Sequence, residues 1–340
     1  MDVFDSLLIP GYHKLVNQLL EDIRLEFGID PDKFRAILED GKMFEFADNQ
    51  ITDHIIDKEV KGDFLKNWLS KTQNNQGAIV DMHEEFFTYY YLFVNSCYSI
   101  FNNITKQLRG KSADLEDFVI LGIYGTLCGM SDEIGVLLTN GYTKSALVLW
   151  RTFYEHTVIG IFLMRENDTE LFRSYVDFGH RDVQRKKDSY DKHREELNFP
   201  ELDPEKSSAI AARSEELKKL YGRDFEGEFA WAKKHVVGKP SFHLIEEKAD
   251  MKRYRPFYIW ASSFSHSNFD EISRIKEPNW KVNLGRLTAQ ETEKQSFIDP
   301  AQLTLSIFFS FNSHFLNRCS MDADVNILLL KKMYERMLKS

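Results

Sequence analysis

The stretch Thr143–Arg165, TKSALVLWRTFYEHTVIGIFLMR, decides the fold of this 340-residue chain. Its apolar residues cover nearly the whole circumference of a helix, which is typical of a helix at the centre of a bundle. Only Arg151, Glu155 and His156 put ionisable groups near its middle. We therefore predict a long central helix that carries these three side chains.

Long helical patterns flank this central helix on both sides. Helical spacing predicts further helices at about 81–108, 114–139, 168–198, 301–317 and 322–338. Gly and Pro are scarce, with 17 and 8 residues, which favours long helices over turn-rich β-structure. The sequence predicts an all-α, multi-helix bundle.

The first 75 residues differ from the rest because their helical patterns are short and separated by mixed sequence. The segment Lys71–Gly77, KTQNNQG, has the polar composition of a linker. We therefore predict a smaller N-terminal helical layer at 1–75 and a principal helical bundle domain at 76–340.

Three glycines fall on one side of the helix predicted at 114–139. They are Gly122, Gly125 and Gly129. Because glycine lowers helix stability, their presence indicates a packing reason. We predict a close crossing with a neighbouring helix, where small residues let two backbones approach.

Charge restricts the classes of ligand. The formal net charge is −9, which argues against a general affinity for nucleic-acid backbone or anionic membrane. The most basic short run, which is the candidate local basic patch, comprises Arg181, Arg185, Lys186 and Lys187. This run is the one visible candidate for contact with phosphate.

The cysteines and the apolar segments predict a cytoplasmic location. Cys97, Cys128 and Cys319 are odd in number, far apart and without CxxC spacing, as in proteins of a reducing compartment. The N-terminus lacks a basic region followed by a long apolar run, so we expect no signal peptide. The central helix carries charges at its middle, each of which costs roughly 2.5–3.5 kcal/mol on membrane insertion. We expect no membrane association.

Arg151 and Glu155 are four residues apart, so one helix face brings them into contact. Their apolar neighbours predict that both charges are buried, and buried charges need further hydrogen-bonding partners. The richest supply of such groups lies at 262–270, SSFSHSNFD. We predict that this segment packs beside the Arg151–Glu155 pair.

The candidate site combines these segments. The candidate catalytic residues are Arg151, Glu155, His156 and His266. The candidate substrate-binding residues are Ser263, Ser265, Arg173 and Tyr175. No HExxH, paired ExxH, P-loop, dinucleotide fingerprint or GxSxG motif is present, so we predict no metal and no cofactor.

The segments LLTNGYTKSALVLWRTFYEHTVIGIFL and YIWASSFSHSN resemble a family of bacterial helical proteins of unknown function. That family has an Arg-x3-Glu helix followed by a segment with Ser and His. The matching residues here are Arg151, Glu155, Ser263 and His266. The resemblance covers about 80–270 and implies a helical fold but no activity.

The string from Arg151 to His156 is also R-x4-H, which resembles the signature of the HEPN (higher eukaryotes and prokaryotes nucleotide-binding) ribonucleases. This resemblance implies a metal-independent ribonuclease, a toxin or phage-defence effector, acting on RNA. Arg151 would stabilise phosphate, and His156 or His266 would transfer the proton. Residues five apart point roughly 140° away from one another on a straight helix, so we expect a homodimer to complete such a site.

A non-enzymatic helical interaction module is the alternative. In that case Arg151, Glu155 and His266 form a buried structural network that fixes the central helices. The partner surface would be the charge-alternating arm Asp182–Glu196. The sequence leaves the choice between ribonuclease and interaction module open.

Overall fold

The computed structural model describes residues 12–39, 64–108, 114–222, 225, 227–265, 294–319 and 323–340. Within these residues it contains twelve α-helices, two 3₁₀ turns and no strand. The prediction of an all-α, multi-helix fold is confirmed. The contacts divide the chain into two compact units, Met1–Asn75 and Gln76–Ser340.

The first unit contains two short helices and the beginning of a third. These helices are α1 (Tyr12–Glu26), α2 (Pro31–Glu39) and α3 (Phe64–Met82). After α1 the chain turns at Gly28, whose φ of 60° suits glycine. The Asp30 carboxylate accepts hydrogen bonds from backbone N–H groups of the first turn of α2. Leu20 and Phe34 are buried.

Helix α3 corrects the prediction of a linker. It runs without a break from Phe64 to Met82, so Lys71–Gly77 lies within a helix. Asn, Gln and a single Gly each lower helix stability by no more than about 1 kcal/mol. Since helix propagation is cooperative, helical residues on both sides carry the helix through this polar segment.

The second unit holds the remaining nine described helices. They are α4 (Glu84–Leu108), α5 (Leu115–Thr139), α6 (Thr143–Glu166), α7 (Thr169–His193), α8 (Pro204–Tyr221), α9 (Phe242–Lys248), α10 (Arg255–Ser265), α11 (Lys294–Cys319) and α12 (Ala323–Met337). The 3₁₀ turns are Ala230–Ala232 and Lys252–Tyr254.

Helix α6 is the centre of the second unit, as predicted. It packs against α5, α9, α10 and α11 and more sparsely against α7. Its side chains Trp150, Phe153 and Phe162 are fully buried. Gly160 lets α11 approach, because a Cβ there would lie 2.6 Å from a ring atom of Phe311.

Among the described residues, the close helix crossing predicted for α5 is absent at two of its three glycines. A Cβ added to Gly122 or Gly129 would meet no described atom within 4 Å. At Gly125 the ring of Phe101 lies 3.2 Å from such a Cβ. The closest approach at a glycine of α5 is six residues after Gly129, where a Cβ on Gly135 would lie 2.9 Å from atoms of Tyr90 and Tyr91 of α4. The spacing of Gly122, Gly125 and Gly129 therefore did not predict which face of α5 packs closely against α4.

Helices α7 and α8 form an antiparallel hairpin, and α8 packs mainly on α7. The two helices are tied near their base by Asp177, which accepts hydrogen bonds from Arg213 Nη2 (2.6 Å) and from the Tyr221 hydroxyl (2.8 Å). Every residue from 178 to 213 is at least partly exposed. Phe178 still packs against the core, whereas the residues from 179 to 213 add nothing to it.

Candidate functional site

Arg151 and Glu155 lie on one face of α6, with Nε 3.5 Å from Oε1. Their side chains are 28% and 36% exposed, so the prediction that both charges are buried is wrong. The reason is that Phe153, Tyr154 and Val158 point into the core. The helix face that carries Arg151 and Glu155 is therefore turned towards the surface of the bundle. The pair keeps part of its hydration.

Tyr258 of α10 is the third member of this group. Its hydroxyl donates to Glu155 Oε1 at 2.7 Å and accepts from Arg151 Nη2 at 3.2 Å. The guanidinium carbon of Arg151 also lies 5.1 Å from the centre of the Tyr258 ring. Burial, and then the bond to Glu155, raise the pKa of Tyr258, so the phenol stays protonated as a donor. We call Arg151, Glu155 and Tyr258 the rim set.

The serines expected to reach this pair bind elsewhere. The Ser262 hydroxyl donates to the carbonyl of Tyr258, and the Ser263 hydroxyl donates to that of Trp260. Both therefore bond to their own helix, as serine often does within a helix. Ser265 is exposed at the end of α10. His266 lies outside the described residues.

A second set of the same three residue types lies beside the rim set around a buried carboxylate, with its arginine 33% exposed. The Glu246 side chain is 0% exposed and accepts hydrogen bonds from the Tyr154 hydroxyl (2.6 Å) and Arg255 Nη1 (3.2 Å). His243 Nδ1 lies 3.5 Å from the same carboxylate. Burial, and then the bond to Glu246, raise the pKa of Tyr154. We call Arg255, Glu246 and Tyr154 the buried set.

This buried set was not predicted from the sequence. Glu246 lies in the seven-residue helix α9 and is one of 53 acidic residues. Its partners are 92 positions earlier and 9 positions later in the chain, so no local spacing reveals them. The one sequence feature that could have indicated burial of Glu246 is its position directly after Ile245, which is also fully buried.

The two sets form one continuous network through Tyr258. The Arg255 guanidinium carbon lies 5.3 Å from the centre of the Tyr258 ring, and the rings of Tyr154 and Tyr258 are 5.7 Å apart. The network contains two guanidinium groups and two carboxylates, so its charges balance. It joins α6, α9 and α10, and this arrangement suits a structural brace.

The residues of the R-x4-H string do not meet within one chain. Helix α6 is continuous through the string, so Arg151 and His156 point roughly 140° apart. His156 makes no hydrogen bond with Arg151 or Glu155 in the part of the chain that the structure describes. Burial lowers the pKa of His156, and the nearby Glu155 opposes this shift only in part. The imidazole is therefore neutral at pH 7.

Comparison with known protein families gives one result. Residues 117–281 match the model of a family of unknown function (DUF5677). The matched region runs from α5 to beyond α10 and contains both sets of the network. The resemblance to a helical family of unknown function is thus confirmed, whereas nothing supports the resemblance to HEPN ribonucleases. Searches of curated proteins and of solved structures gave no match.

Two further checks concern metals and membranes. Across the described ranges, no group of three or more His, Cys, Asp or Glu side chains is placed to hold a metal ion. Among the described helices, α5 alone is long and apolar enough to cross a membrane, and half of its most apolar window is buried inside the molecule. The core helix of a globular protein can have the same length and apolar composition, so these two features alone do not indicate a membrane span.

Arg173 and Tyr175 of α7 do not join the Arg151 network. Arg173 is exposed and pairs with Glu170 at 2.8 Å. Tyr175 packs against Trp231, with 4.9 Å between ring centres, and burial raises its pKa. It lines a cavity of about 650 Å³ that Arg181 also lines. The two residues therefore belong to the base of the hairpin.

The basic run on α7 is largely matched by acidic neighbours. Arg181 Nη2 lies 2.5 Å from Asp182, and Lys187 Nζ lies 2.6 Å from Asp191. Arg185 is far more exposed and lies 3.9 Å from Asp182. This pairing weakens the case for a phosphate-binding patch.

Proposed function

We propose that the protein is a helical interaction module whose binding surface is the α7–α8 hairpin. The observation that carries this proposal is the exposure of the hairpin. From residue 178 to 213 the chain forms the outer parts of α7 and α8 and the turn between them, and every side chain is at least partly exposed. Ordering a chain costs conformational entropy that burial normally offsets. An ordered projection without a core is suited to contact another molecule.

The rim set and the buried set support a structural role for the polar network. Each carboxylate accepts a bond from a tyrosine hydroxyl and lies beside an arginine of the same network. The serines of α10 bond to their own backbone. The hydroxyls that lie beside a carboxylate in this network are the phenols of Tyr154 and Tyr258, and burial raises the pKa of both. Protonated phenols that donate to glutamate favour a brace for α6, α9 and α10 over a catalytic nucleophile.

The proposal places the module in a reducing compartment, the cytoplasm. Cys97 and Cys128 are buried free thiols, and burial raises the pKa of both, that of Cys128 to about 12. Such thiols react slowly with oxidants. They fit a packing role in the core.

Photo-cross-linking in cells tests the interaction proposal. A photoreactive amino acid replaces Val183 on α7, which is 41% exposed, and in a matched control it replaces Val136 on α5, which is 49% exposed. We expect discrete adducts of defined mass at position 183 and none at position 136. Equal labelling at the two positions would contradict the proposal.

A metal-independent ribonuclease is the second candidate, and one observation favours it. Because burial lowers the pKa of His156, its imidazole is unprotonated at neutral pH and can accept a proton from a 2′-hydroxyl. Arg151 would stabilise the phosphate of an RNA substrate. Since the two side chains diverge on one helix, this candidate needs two copies of the chain at the site.

Cellular RNA integrity tests the ribonuclease candidate. We would overproduce the wild type beside Arg151→Ala and His156→Ala. RNA degradation and growth arrest that depend on both residues support an enzyme. Intact RNA and normal growth with the wild type count against it.

A further inference from the structure

The connection between α7 and α8 presents an apolar cluster to solvent. We call Arg194–Asp203 the hairpin tip. Its side chains Leu197 and Phe199 are 57% and 50% exposed, and Leu202 is 37% exposed. The tip has a fixed shape, because Tyr190 stacks on Phe199 and donates a hydrogen bond to the Pro200 carbonyl at 2.7 Å. An ordered apolar cluster of this kind is a typical anchor for a partner.

Acidic groups surround this cluster. The tip carries four acidic residues, Glu195, Glu196, Glu201 and Asp203, and one basic residue, Arg194. Arg194 already pairs with Glu195 and Glu201. A surface that receives the tip must therefore be apolar at its centre and basic at its edge. Nucleic acids and anionic membranes are repelled by such a tip.

A cavity with these properties lies at the other end of the hairpin. This base pocket measures about 400 Å³ and is lined by Tyr221, Phe225 and Trp231, with Lys233 and Lys234 beside them. Tyr221 and Phe225 stack at 4.1 Å, and both lysines are exposed. The base pocket also contains Glu170, but Arg173 pairs with that carboxylate.

The tip cannot enter the base pocket of its own chain. Ser174 lines the base pocket, and α7 runs without a break from there to His193 next to the tip. At 1.5 Å per residue, this part of α7 spans about 30 Å. A second copy of the chain with its hairpin antiparallel to the first brings each tip to the base pocket of the other. A two-fold axis makes both contacts at once, so the assembly closes as a dimer.

We propose that the protein forms a two-fold dimer in which the acidic, apolar tip of each hairpin occupies the lysine-edged aromatic base pocket of the other copy. This inference rests on the proposed function, since it names a second copy of the chain as the partner of the hairpin. Phe199 and Leu197 enter the aromatic pocket. Glu195 and Glu196 face Lys233 and Lys234.

Charge reversal with mixing tests the dimer. One variant carries Lys233→Glu and Lys234→Glu, and the other carries Glu195→Lys and Glu196→Lys. We expect the wild type to be a dimer by light scattering and each variant alone to dissociate at least about 10-fold more readily, because like charges then face each other. An equal mixture of the two variants restores the dimer. In the mixed dimer the reversed tip meets the reversed pocket, and the unaltered tip meets the unaltered pocket.

A neutral pair of variants tests the apolar part of the contact. Phe199→Ser should weaken the dimer, whereas Phe118→Ser on α5, where the ring is 71% exposed, should not. All altered side chains are exposed, so we expect only small changes in the thermal midpoints, which report that each variant is folded. Phe199→Ser also removes the stacking on Tyr190, which acts on the tip and not on the core.

The possible failures can be told apart. A wild type that is monomeric at all concentrations, but cross-links to another protein through position 183, overturns the dimer and leaves the interaction proposal standing. A monomer without any adduct at position 183 overturns both. A dimer that both charge-reversed variants retain shows that another surface joins the copies and overturns this assignment.

Discussion

The rim set and the buried set have the same chemistry in different surroundings. In each, one glutamate accepts a hydrogen bond from a tyrosine hydroxyl beside an arginine. Glu155 of the rim set is 36% exposed, whereas Glu246 of the buried set is 0% exposed. Water solvates the first carboxylate in part and does not reach the second. Because the contacts are the same and the exposure of the carboxylate differs, mutations in the two sets show how burial alone changes the contribution of these contacts to stability.

Loss of Arg255 gives the largest expected effect. Arg255→Ala leaves the fully buried Glu246 carboxylate without its closest cation, and such a loss lowers the free energy of unfolding by roughly 3–5 kcal/mol. His243 remains 3.5 Å away, which favours the lower end of that range. Urea denaturation measures the change. Arg253→Ala, at an exposed position two residues away, is the control and should be nearly neutral.

Removal of the tyrosine hydroxyls compares the two sets directly. Tyr154→Phe takes a donor from a buried carboxylate and should lower the free energy of unfolding by about 1.5–3 kcal/mol. Tyr258→Phe should cost about 1 kcal/mol or less, because water can reach Glu155. Equal losses in the same denaturation experiment would show that burial does not distinguish the sets.

Loss of Arg151 should have a small effect on stability. Were Glu155 buried, Arg151→Ala would cost several kcal/mol, but the partly exposed carboxylate stays hydrated. A double-mutant cycle of Arg151→Ala with Glu155→Ala should give a coupling of about 0.2–1 kcal/mol. A coupling above this range would mean that the pair is effectively buried.

The smallest effect concerns His156, which follows the rim set on α6. Burial lowers its pKa below the usual 6.5, so the folded state binds fewer protons than the unfolded state in the interval between the two pKa values. Its contribution to stability is full above pH 6.5 and falls as the pH drops through that interval, by at most about 1.4 kcal/mol per pH unit. His156→Gln should flatten the pH dependence of urea denaturation, and His180→Gln, at an exposed position, should not.

The sequence was sufficient for features that depend on local spacing. The apolar residues of 143–165 predicted α6 almost to its ends, and the i, i+4 spacing predicted that Arg151 and Glu155 meet. Both follow from the geometry of a single helix.

Features that depend on how helices meet could not be predicted in the same way. Tyr258 was overlooked because the many hydroxyls of 262–267 suggested partners, whereas Ser262 and Ser263 bond to the backbone of their own helix. The burial of Glu246 depends on contacts across three helices. Gly122 and Gly129 share a side of α5, but the sequence does not say which sides the neighbouring helices cover.

The exposed hairpin has a consequence for how the molecule opens. Since no residue from 179 to 213 packs in the core, this segment can unfold and refold while α5, α6 and α11 remain packed. Its amide protons therefore exchange with solvent through local fluctuations, whereas those of α6 exchange only when the bundle itself comes apart. A protease would cut this hairpin before the packed helices α5, α6 and α11, and an inserted domain would be tolerated better there than in those helices.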